Sequence, residues 1–143
     1  MGLARLGKLP LKVLPRTSVA EAVRSMVERK VGALVVMEGP NLLGVFTERD
    51  LMTRVVAPGK DPAVTPIAEV MTRHVFVVPD ETSVLKAATL MRTNNIRNLP
   101  VVGADGTLVS LVALRYLLYD LMDDLETKVI DLEGYLMEDS KGG

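Results

Sequence analysis

The chain has 143 residues, with 17 Lys+Arg against 18 Asp+Glu and a formal net charge of −1, enough for one ordinary domain or two very small ones around a buried core. It has no cysteine and a single histidine, His74, which removes disulfide scaffolds, thiolate zinc sites and cysteine nucleophiles and speaks against histidine-rich metal clusters and a Ser-His-Asp site. Balanced charge without a basic block disfavours nucleic-acid binding by phosphate neutralisation, and no apolar run is long enough to cross a bilayer. Residues 1–12 scatter Arg5, Lys8 and Lys12 among apolar neighbours, unlike the uninterrupted apolar core of a signal peptide. A cytoplasmic protein is the expectation.

Residues 9–15 hold two prolines and read as an extended lead-in. Thr17 and Ser18 then offer N-caps for a helix with Val19, Ala22, Val23, Met26 and Val27 on one face, the spacing of a half-buried helix. Residues 31–37 are almost wholly apolar, as in a strand covered on both faces. A turn at residues 38–41 leads to a returning strand at 42–46 and a short helix from Thr47 that carries Leu51, Met52, Val55 and Val56. Residues 57–63 read as a linker, and Thr65-Pro66 as the cap and first turn of a short helix through Met71.

The same programme then runs again: a lead-in at 75–79, a helix capped by Thr82-Ser83 with Val84, Ala87, Ala88 and Met91 on one face, strands at 96–102 and 108–112, and a further helix. At an offset of 65 residues Ser18 meets Ser83, Met26 meets Met91, Leu34 meets Leu99, Val36 meets Val101 and Leu43 meets Leu108, so the chain is an internal repeat with no spacing adjustment expected. The reading is an α+β fold of two pseudo-twofold-related β-α-β-β-α units. Neither has enough strands to stand alone, so their small sheets should pack together with helices outside and a ligand cleft between them.

The stretch Gly44-Val45-Phe46-Thr47-Glu48-Arg49-Asp50-Leu51 sits where a strand meets a helix. Two readings apply. Thr47-x-x-Asp50 fits a capping box, in which each side chain satisfies the other's backbone amide; it also places a hydroxyl and a carboxylate beside free helix-terminal amides, which suits phosphate and a ribose diol.

This stretch, together with Ala68-Glu69-Val70-Met71-Thr72 and Asn95-Ile96-Arg97-Asn98-Leu99-Pro100-Val101-Val102, resembles the tandem cystathionine-beta-synthase (CBS) domain pair, or Bateman module. The resemblance implies repeats at 8–58 and 75–121, a linker with a short helix at 59–74 and a helical tail at 122–143. It implies a regulatory, non-catalytic module sensing an adenine ligand, AMP, ADP, ATP, S-adenosylmethionine or NAD, in a cleft between repeats, with a homodimer and an unidentified regulated protein as partners. Carried over by residue, Asp50 would take the ribose hydroxyls and Thr47 the phosphate. Gly44 would allow close approach, Arg49 would flank the corner, and Arg97 with Asn98 would face the phosphates. Val77, Val78 and Pro100 would wall the base. No metal ligand is implied.

At the same offset the second corner offers Val109, Val112 and Arg115 for Gly44, Thr47 and Asp50, so one competent cleft and one degenerate cleft are expected. Leucines 114, 118, 121, 125, 132 and 136 recur near helical spacing, which fits either a helix lying back on its domain or a short coiled-coil arm. The acids Asp123, Asp124, Glu126, Asp131 and Glu133 share that helix as a solvated face, leaving no paired carboxylates for catalysis.

Overall fold

The structure is a computed structural model describing residues 2–142, with side chains described through residue 137. Strand β1 (Lys12–Val13) leads to helix α1 (Val19–Arg29), strands β2 (Ala33–Glu38) and β3 (Asn41–Thr47), and a short helix α2 (Glu48–Asp50) that continues as a π-helical turn, Leu51–Val56. The second half repeats the order with β4 (Val78–Pro79), α3 (Val84–Thr93), β5 (Asn98–Val102), β6 (Leu108–Ala113) and α4 (Leu114–Gly142). Each half forms a three-stranded sheet, β1-β2-β3 and β4-β5-β6. In both, the lead-in strand pairs parallel to the middle strand, which pairs antiparallel to the third.

Local chemistry explains the elements. The Ser18 hydroxyl accepts the Glu21 amide at 3.2 Å and the Ser83 hydroxyl accepts the Lys86 amide at 3.1 Å, so the serines of the two Thr-Ser pairs are the caps of α1 and α3. The expected helix at 65–71 is a single 3-10 turn, Ile67–Glu69. Pro66 rather than Thr65 stands at its N-cap position and makes no side-chain cap, while the Thr65 hydroxyl donates backward to the Asp61 carbonyl at 2.7 Å. After Thr47 the wider π winding keeps Leu51 half-buried and Val55 buried, while Met52 and Val56 face outward.

One apolar core lies under each sheet, and a third cluster, Val35, Met37, Val45 and Leu108, joins them. The halves thus pack sheet to sheet with helices outside, the expected α+β arrangement. The cores also exchange end pieces. A 3-10 turn at Leu3–Leu6 buries Leu3 in the second core, whereas Ile67 and Met71 of the linker complete the first.

The strand register corrects the repeat alignment. Ala33 pairs with Thr47 as Asn98 pairs with Ala113, and Val36 with Gly44 as Val101 with Ser110. The offset is therefore 65 up to the middle strand and 66 beyond it. The first hairpin turns on Gly39-Pro40, but the second needs Ala104-Asp105-Gly106, with the Gly103 amide donating to Thr107 O at 2.8 Å and Gly106 at φ +83.

Helix α4 is continuous from its foot on β6. Leu114, Leu117 and Leu121 pack on the second core, and the apolar side chains from Met122 to Met137 are exposed. From Met122 to Met137 it does not lie back on its own domain.

Candidate functional site

Asp50 is 4% exposed and gathers three segments of chain. Its carboxylate accepts the Thr47 amide at 3.0 Å, the Thr47 hydroxyl at 3.2 Å and the linker Thr72 hydroxyl at 3.1 Å. It also pairs with Arg54 Nε at 3.5 Å, while the Asp50 amide donates to Thr47 Oγ1 at 3.3 Å. The capping box is formed, and the lone pairs of the carboxylate are taken. Of these partners Arg54 is the most replaceable: its side chain is half exposed and also donates to Met71 O at 3.0 Å.

This corner opens into a cleft of about 1420 Å³ that runs between the two halves. Thr47, Arg49, Asp50, Arg97 and Asn98 all line it, although they come from opposite repeats. Residues not anticipated complete it: Lys8 from the N-terminal lead-in, Lys30 at the end of α1, Arg54 in the π turn and Arg115 at the foot of α4. The described lining thus carries Lys8, Lys30, Arg49, Arg54, Arg97 and Arg115 against the carboxylates of Glu48 and Asp50. Six of the 17 Lys and Arg residues of a nearly neutral chain thus face two carboxylates in one groove, a local excess of the kind that raises the concentration of an anion. His74 lines the groove as well.

Four expected site residues lie elsewhere. Gly44 is buried beneath the linker: a Cβ there would stand 2.7 Å from both Met71 Sδ and Thr72 O. Its glycine therefore admits the linker backbone, which bridges Val45 through a pair of hydrogen bonds of 3.0 and 2.8 Å. Val78 is buried in the second core as β4 pairs with Val101, and Pro100 is buried in β5 opposite Leu111. Val77 is 41% exposed but outside the lining, and the wall at this level is Val75 and Phe76. The reason is that β4 starts only at Val78, so the preceding residues cross the cleft before the strand turns inward.

With the corrected register the second corner is Ser110, Ala113 and Tyr116, in place of Val109, Val112 and Arg115. Ser110 is buried and donates to Ala4 O at 3.1 Å. The Tyr116 ring lies 4.9 Å beneath the Arg115 guanidinium, and Arg115, donating to the phenol oxygen, holds the Tyr116 hydroxyl below its ordinary pKa. This corner still has no carboxylate where the first has Asp50. Among the described residues no cluster of His, Asp and Glu could hold a metal ion. Among the described residues no helix is long and apolar enough to cross a membrane.

Comparison with known proteins agrees with this architecture. The CBS domain family matches residues 8–57 and 67–123. A 17.7 kDa protein of Acidianus ambivalens is 35% identical over 112 residues, 78% of this chain and 66% of that one. The mitochondrial CBS-domain protein CBSX3 of Arabidopsis thaliana is 36% identical over 102 residues, 68% of this chain and 49% of that one. The chain thus spans about half to two thirds of these relatives. Among solved structures, a CBS-domain protein from Burkholderia ambifaria superposes with a TM-score of 0.80 at 28% identity, covering 87% of this chain and 96% of that one. CBSX2, in complex with AMP, superposes at 0.68 with 26% identity, covering 85% and 96%. Its two matched segments and its paired sheets place the chain in the CBS-domain family, as a tandem of two CBS domains.

Proposed function

We propose that the chain is a regulatory module that binds an adenine nucleotide or adenosyl compound in the cleft between its repeats and signals through a change in conformation or packing. The observation that carries the reading is the lining itself: a hydroxyl and carboxylate corner, Thr47 and Asp50, in one groove with Arg97, Asn98 and a marked excess of cations. Phosphates suit the arginines, whose planar guanidinium binds them in bidentate fashion. The ribose diol takes the place of the half-exposed Arg54 on Asp50, and the base lies against Val75 and Phe76. CBSX2, a relative in fold, was solved in complex with AMP. Arg115, Tyr116 and Leu118 line the cleft from the foot of α4, so occupancy is felt directly by that helix. A ligand shifts such an equilibrium only by its differential affinity for the two states.

Calorimetric titration of AMP, ADP, ATP and S-adenosylmethionine tests the proposal. The wild type should bind at least one phosphate-bearing ligand. Arg97→Ala should weaken it by roughly 10- to 100-fold, the worth of a charged hydrogen bond. No binding by the wild type, or equal binding by the variant, rejects the reading. A second reading, an interaction module acting through α4 without ligand, is favoured by the exposed apolar side chains beyond Leu121.

A further inference from the structure

Beyond Leu121, α4 runs a further 21 residues to Gly142, about 30 Å at 1.5 Å per residue. Helical stability in proteins comes chiefly from packing an apolar face rather than from propensity. The described part of this segment packs on nothing: Met122 is 63% exposed, Leu125 61%, Val129 51% and Leu132 59%. Their spacing is regular. Leu118, Met122, Leu125, Val129, Leu132 and Leu136 follow one another at 4, 3, 4, 3 and 4 residues, a strict heptad seam offset from the Leu114, Leu117 and Leu121 face that docks on the second core.

We infer that this seam pairs with the same seam of a second copy of the chain, as a parallel, in-register two-stranded coiled coil. The Leu118, Leu125 and Leu132 positions are the d sites, and Met122, Val129 and Leu136 the a sites. Leucine at d with a β-branched residue at the central a site favours two strands. Charge sets the direction. Lys128 falls at g and Glu133 at e of the following heptad, so parallel strands bring Lys128 of each copy to Glu133 of the other. Antiparallel strands would instead set the e-site acids, Glu126 and Glu133, against their own kind. Among the described residues of one chain Lys128 pairs with Asp124, at 3.3 Å with both side chains largely exposed, a pair worth little and readily exchanged. The inference deepens the interaction reading and is independent of nucleotide binding, so either can fail alone.

The absence of native cysteine gives a clean test on the full chain. Met122→Cys at an a site and Leu132→Cys at a d site, which antiparallel strands would bring together, are made separately and oxidised, alone and mixed. In-register parallel pairing predicts that each variant cross-links efficiently to itself, and that adding Val129→Asp to Met122→Cys abolishes the cross-link with the circular-dichroism signal of the domain retained. Cross-linking only between the two different variants means antiparallel pairing and overturns the proposal. So does self-cross-linking by neither variant, whether the wild type sediments as a monomer or as a dimer through another face.

Discussion

Asp50 holds a helix start, a π turn and the linker together through Thr47, Arg54 and Thr72, so its loss is first a matter of stability. Asp50→Ala should cost about 1–3 kcal/mol by leaving buried donors unpaired, read as a lower urea midpoint. The exposed Arg97→Ala should move stability by less than about 0.5 kcal/mol. Binding measured on the first variant alone would therefore mix two effects, and the second separates them. Gly44 poses the same lesson in reverse. Gly44→Ala places a methyl against Met71 Sδ and Thr72 O, and the overpacking should cost about 1–3 kcal/mol, read as a lower midpoint in chemical denaturation. Both readings of the Thr47-x-x-Asp50 motif were legible in the residues. The cap is local, made within three residues, but that the glycine serves the linker depends on Met71 and Thr72, some 27 residues downstream.

At the scale of elements, the apolar faces of α1 and α3 and their serine caps were legible because period and capping are local properties. The alignment of the second hairpin was not. Residues 108–112 carry apolar side chains at four of five positions, so a one-residue slip leaves a pattern that still reads as a buried strand. What fixes the true register is the turn, where the Asp105 carboxylate accepts the Thr107 amide at 3.0 Å. That backbone hydrogen bond holds the Asp105 pKa below the ordinary carboxylate value. On acidification the unfolded chain takes up this proton first. The stabilisation is therefore complete above the ordinary carboxylate pKa and is lost as pH falls through the lowered one. A carboxyl NMR titration should show Asp105 ionising at lower pH in the folded protein than after unfolding in urea. The direction of α4 was also undecidable from its leucines. Two apolar seams share the helix, one for its own core and one left over, and only the packing of Leu117 and Leu121 tells them apart.

For the whole molecule, the repeat announced two sheets and a cleft, but not the cations that line it. Lys8, Lys30, Arg54 and Arg115 are far apart in the chain and ordinary in their local contexts. The exchange of end pieces was equally hidden, since a 3-10 turn with one buried leucine has no periodicity to detect. Leu3→Ala should destabilise the second half by about 2–5 kcal/mol, the usual cost of emptying a buried leucine site. Hydrogen exchange should show protection lost from β5 and β6 more than from β2 and β3. The same exchange bears on the order in which the molecule is assembled. The first core closes from a continuous run, Leu11 to Met71. The second must recover the start of the chain, through a Ser110 to Ala4 hydrogen bond that spans 106 residues and an Ala4 to Asp80 bond that spans 76. Closing so long a loop is slow relative to local contacts. On a ribosome the first domain can therefore form early, while the N-terminal turn stays undocked until β6 has been made, and the cleft, which needs both halves, cannot exist before then.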